Sequence, residues 1–129
     1  MINERCWILT GHYKDDLWWG FAKKRTEGTP VSVEFDWEYV LKNHEKVVGF
    51  YHTHPSFNAT PSETDDRAMH GFCLSLGRPL VCLIRDTDGL RAWWYVDDES
   101  EPEEYQVVKM GNLFFGVTPD LYEKNSSHN

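Results

Sequence analysis

Two histidines, His52 and His54, stand in the run His52-Thr53-His54-Pro55, and an aspartate follows at position 65. These are donor types that suit a catalytic zinc ion: neutral imidazole nitrogens and a carboxylate oxygen, three from the protein, with a fourth position kept for water. Residues i and i+2 of an extended strand face the same way, so both imidazoles can turn toward one ion. Two neutral ligands and one anion leave the site a net positive charge, which acidifies bound water toward about pH 7. Each feature also has an ordinary explanation. A histidine pair at a strand end is often plain polar surface, and Ser62-x-x-Asp65 is equally a capping box opening a helix. The two roles of Asp65 are compatible. A purely structural ion would need a fourth protein ligand, and His70 is the nearest candidate, but its separation from Asp65 turns it toward another side of a helix.

These residues need a strand, a loop and a helix to hold them. Val47–Tyr51 (VVGFY) is a buried-strand pattern running into the histidines, and Ser56–Pro61 is too irregular to continue it. Ser62 is placed to cap a helix through about Leu76, ended by Gly77 and Pro79. Leu80–Ile84 and Leu90–Val96 read as strands joined at Asp88-Gly89. Upstream, residues 5–10 and 17–23 form aromatic-rich strands around a GHYKDD turn, Glu27–Pro30 a loop, Val31–Phe35 a strand and Trp37–Asn43 a short helix. Downstream, Asp97–Glu104 reads as a solvated loop, Tyr105–Gly116 as a last strand or helix, and the final EKNSSHN as a frayed end. One domain over residues 1–118 with a polar tail over 119–129 accounts for the chain.

Composition narrows the function classes. The 129 residues suit a single core, and 40% hydrophobic and 15% aromatic residues, six of them Trp, are enough to bury one. A net charge of −8, with Lys23-Lys24-Arg25 as the sole basic cluster, argues against nucleic acid. Three cysteines without a C-x-x-C pair argue against a disulfide framework and for a reducing, cytoplasmic setting. No apolar run approaches the roughly 18 residues of a membrane span, and the N-terminus lacks a signal-peptide layout. The absence of H-E-x-x-H excludes a zincin, and that of P-C-x-x-C excludes a zinc deaminase.

His52-Thr53-His54-Pro55, seven intervening residues and then Ser62-x-x-Asp65 resembles the motif of the JAMM (MPN+) zinc metallopeptidases, the JAB-domain family, and in particular its compact prokaryotic, deubiquitinase-like members. The family pattern also places a glutamate at the start of an early strand reading E-x-x-G-[I/L]-L-x-G. Glu4 through Gly11 align with it, Trp7 replacing the usual small residue. The resemblance implies an α/β, cytidine-deaminase-like fold with a mixed sheet flanked by helices. It implies one Zn2+ per chain on His52, His54 and Asp65, with Glu4 as general base and acid and Ser62 stabilising the oxyanion. Glu34 is the next candidate for the base, and Glu27, Glu38 and Glu45 also precede the histidines.

The implied reaction is hydrolysis of the amide after the C-terminus of a ubiquitin-like protein. The substrate tail would lie as an added strand, with Lys23–Val33 either a flap over it or an ordinary surface loop. Ubiquitin-like conjugation systems, including those that defend against phage, and sulfur-carrier adducts are the settings the resemblance suggests. A metal-free MPN-type interaction module is the alternative of a different class, and it predicts broken ligands.

Overall fold

The computed structural model describes residues 5–27, 37–54, 59–87 and 89–119. Among the described residues, eight strands form one sheet: β1 (Arg5–Lys14), β2 (Leu17–Glu27), β3 (Val47–Thr53), β4 (Leu80–Arg85), β5 (Leu90–Tyr95), β6 (Glu103–Tyr105), β7 (Val107–Met110) and β8 (Leu113–Val117). Helix α1 (Trp37–Lys42) and a 3-10 turn (His44–Lys46) precede β3, and helix α2 (Glu63–Leu76) joins β3 to β4. The spatial order is β6-β5-β4-β3-β1-β2-β8-β7. β3 and β4 run parallel, whereas the remaining neighbours are antiparallel.

A strand paired on both sides and covered on both faces should be apolar throughout, and β3 is buried from Val47 to His52. Gly49 lets β4 approach closely, because a Cβ there would lie 2.0 Å from the Val81 carbonyl oxygen. α2 begins at Ser62 and stops at Gly77, which takes the left-handed conformation (φ 68°) that glycine adopts without a Cβ penalty.

One face of the sheet packs against both helices through Ile8, Val40, Phe50, Met69, Phe72 and Tyr95, with the Phe50 and Phe72 rings 4.5 Å apart. The other face closes on itself. Trp94 of β5 and Trp18 of β2 are separated in the sheet by β4, β3 and β1, a spacing of about 19 Å in a flat sheet at ~4.8 Å per step. Their rings nevertheless meet edge-on at 5.9 Å. The sheet therefore curls, enclosing Leu9, Tyr51, Leu83 and Phe114 with the two tryptophans. Among the described residues, helices cover one face alone, so the expectation of a mixed sheet holds and that of helices flanking it holds on a single side.

Several boundaries move. β1 extends through Gly11–Lys14 to a two-residue turn into β2, with Asp15 in the left-handed region (φ 57°). The polar GHYK run concealed this, because Tyr13 points inward and donates its hydroxyl to the Pro79 carbonyl at 2.6 Å. Glu103 and Glu104, expected in a loop, belong to edge strand β6, and Tyr105–Gly116 yields two strands rather than one. The Val31–Phe35 strand, most of the suggested flap, Asp88 and the EKNSSHN end lie outside the described residues. Pro119, assigned to the tail, is buried.

Gly49→Ala is expected to destabilise the fold by about 1–3 kcal/mol through overpacking against β4. Gly71→Ala, where a Cβ meets nothing within 4 Å on α2, should stabilise it by roughly 0.5–1 kcal/mol. Denaturant unfolding of the two variants measures both signs.

Candidate metal centre

His52 is the penultimate residue of β3, and His54 lies one past its end. The His54 N–H donates to the Arg85 carbonyl at 2.8 Å, adding a rung to the β3–β4 ladder beyond the strand itself. That bond keeps the chain extended, so the two imidazoles share a face. On the other flank, the Thr53 hydroxyl oxygen accepts from the Arg5 N–H at 3.0 Å, and Cys6 sits opposite His52 in the register. Trp7, in place of a small residue, stacks on Tyr51 with ring centroids 4.7 Å apart. The exchange thus adds an aromatic contact beside the site.

Asp65 arrives from the first turn of α2. Ser62 caps the helix: its hydroxyl oxygen accepts from the Asp65 N–H at 3.1 Å, and its own N–H donates to Asp65 Oδ2 at 2.8 Å. Held this way, the carboxylate turns one oxygen to each imidazole. His54 Nε2 lies 3.1 Å from Oδ2, and His52 Nε2 lies 3.3 Å from Oδ1. The two Nε2 atoms are 3.1 Å apart. The helix cap and the approach to both imidazoles are one arrangement, in keeping with the compatibility of the two roles read from the sequence.

Burial of Asp65 opposes its ionisation, but hydrogen bonds from His52, His54 and the Ser62 amide prevail and hold the carboxyl well below the usual carboxylate range. The site therefore presents an anion and two ring nitrogens to one point. A neutral imidazole has one donor and one acceptor nitrogen, so two facing Nε2 atoms and a carboxylate oxygen need a proton or a cation between them. Zinc bonds of about 2.0–2.2 Å in tetrahedral geometry place neighbouring ligand atoms about 3.3–3.6 Å apart. The observed separations fall within a few tenths of an ångström of that span, and the donor set is compatible with zinc.

Behind the site, His52 Nδ1 faces the Sγ of Cys82 at 4.0 Å. Burial pushes the Cys82 thiol well above its ordinary range, so it meets the ring as a neutral group. No feature of cysteine spacing in the chain announces this contact.

The remaining candidates divide. His70 points elsewhere: its Nε2 is 2.9 Å from the Ser100 carbonyl and its ring meets Tyr95 edge-on. Among the described residues, no glutamate joins the His52, His54 and Asp65 group. Glu4 and Glu34 both lie outside the described residues.

A model of the family described as prokaryotic homologs of the JAB domain matches residues 1–96. The chain belongs to this family. The JAB match spans β1 to β5 and so includes all three donors, whereas β6, β7 and β8 lie beyond it. Comparison with curated proteins finds no match.

The cap can be tested apart from any metal. Ser62→Ala should lower stability in the presence of chelator by about 0.5–2 kcal/mol, and Ser62→Gly by only a few tenths. Chemical denaturation of both variants checks the order.

Proposed function

We propose that this JAB-domain protein is a zinc-dependent isopeptidase that hydrolyses the amide bond after the C-terminus of a ubiquitin-like protein. The observation that carries the reading is the convergence of His52 Nε2, His54 Nε2 and the Asp65 carboxylate on one point. The intact set favours it over a metal-free interaction module, which has no use for a charged carboxylate kept in register with two imidazoles. When bound, the zinc ion supplies positive charge that polarises a carbonyl and acidifies water.

The chain's own residues supply the rest. His52, His54 and Asp65 hold the ion. Ser62 accepts a bond from Asp65 through its oxygen, which leaves its O–H as a donor for the developing oxyanion. Glu4 carries the proton from the attacking water to the departing amine. Its neighbour Arg5 is tied to Thr53, between the two histidines, and that tether supports the assignment of Glu4 over Glu34.

The substrate is an extended tail aligned by main-chain hydrogen bonds, and the net charge of −8 favours a tail borne on a basic surface. None of the three cysteines is in a disulfide, which supports action in a reducing cytoplasm. Among the described residues, no helix is long and apolar enough to cross a membrane. A ubiquitin-like conjugation system, antiphage or otherwise, or the release of a sulfur-carrier adduct would each present such a bond.

Wild-type protein purified without chelator should contain zinc near one ion per chain and cleave a C-terminally extended ubiquitin-like protein, with chelator abolishing cleavage. His52→Ala and Asp65→Ala should lose zinc and turnover together, while Glu4→Gln keeps zinc and loses turnover. Ser62→Ala should slow cleavage by about ten- to a thousandfold. Metal analysis and gel-based cleavage read all four, and a wild-type protein that takes up no zinc would refute the proposal.

A further inference from the structure

The segment bearing Asp65 leaves the sheet after His54 and must be brought back over it, and two side chains of β5 reach that segment. Trp93 and Tyr95 are two apart on β5, so they project from the same face, the one against which α2 packs. The Trp93 indole N–H donates to the Ala59 carbonyl at 2.8 Å. The Tyr95 hydroxyl donates to the Asp66 carboxylate. Ala59 precedes the Ser62 cap and Asp66 directly follows Asp65, so the two bonds bracket the part of the chain that sets the carboxylate.

Both anchors are themselves held in place. Tyr95 is fully buried; its ring lies against the edge of His70 at 5.3 Å, and its carbonyl accepts from the Cys73 thiol at 3.5 Å. Trp93 packs against the helix-side core. Within the helix, the Asp66 N–H donates to the Ser62 carbonyl at 2.9 Å. The Trp93 and Tyr95 side chains tie this stretch to β5.

We infer that Trp93 and Tyr95 are positioning residues of the metal centre, clamping residues 59–66 onto the sheet so that the Asp65 carboxylate meets both imidazoles. The inference rests on the metallopeptidase reading, and it adds that ligand geometry is set by a strand that supplies no ligand. Groups that orient metal ligands from behind typically change affinity by about 10–100-fold when lost.

Trp93→Phe and Tyr95→Phe each delete one donor and keep a ring. Zinc affinity by competition titration, amide hydrogen exchange at Asp65 and Asp66 in metal-free protein, and the thermal midpoint are measured for both. Each variant should bind zinc about 10–100-fold more weakly and exchange faster at those two amides. Val48→Ala, on the opposite face of the sheet, should lower the thermal midpoint while leaving zinc affinity and both amides unchanged. Should a β5 variant fail to fold, Asp66→Asn weakens the Tyr95 bond from its other partner and carries the same expectation. Zinc affinity within twofold of wild type in the folded variants would overturn the clamp, whatever exchange shows. If the wild type itself binds no zinc, the metallopeptidase reading fails, and unchanged exchange at Asp65 and Asp66 overturns the clamp separately.

Discussion

Parallel pairing of β3 with β4 cannot be closed by a tight turn, so the chain has to leave the end of β3, cross over the sheet and re-enter at the start of β4. That obligation produces α2. It also places the first turn of α2 above the carboxyl end of β3, the position where open α/β sheets habitually bind ligands. His52 and His54 occupy that strand end, and Asp65 occupies that helix start. Had β3 and β4 been antiparallel neighbours joined by a hairpin, no element would have been available to carry a carboxylate over the imidazoles.

Asp65 shows how one side chain can satisfy two demands. A helix start leaves amide donors unsatisfied and carries a partial positive charge, both of which favour a carboxylate there. The Ser62 amide and the two imidazoles all address the same group, and together they outweigh the cost of its partial burial. The helix terminus thus prepares the anion that a cation between the histidines would meet. Behind His52, a neutral, buried Cys82 completes the surroundings of the ring without adding charge.

What the sequence revealed, and what it hid, follow from the range of the interactions concerned. The span of α2 was legible because its ends are local chemistry: a serine cap with an aspartate three residues on, and a glycine in the left-handed region. The His52, His54 and Asp65 cluster was legible through the conjunction of its spacings and the resemblance they carry, since all three residues lie within one short stretch of chain. The Gly11–Lys14 extension of β1 was not, since a tyrosine that buries its ring by giving its hydroxyl to a distant carbonyl looks like a turn residue in isolation. Nor was the hairpin of β7 and β8, whose strands are settled by β8 pairing with β2, far away in the chain. The curl that joins Trp18 to Trp94, and the reach of Trp93 and Tyr95 to the loop and helix, depend on contacts between remote segments that no periodicity encodes.

All three donors fall between positions 52 and 65, from the end of β3 to the first turn of the helix that leads on to β4. Bonds between these donors close a short loop, whose closure cost grows only logarithmically with the residues enclosed. The slowest part of such a fold to assemble is the parallel pair, whose partners must find each other across an intervening helix. The Asp65 bonds to both imidazoles fix the start of α2 over the end of β3, and so shorten the length of chain left to search for β4.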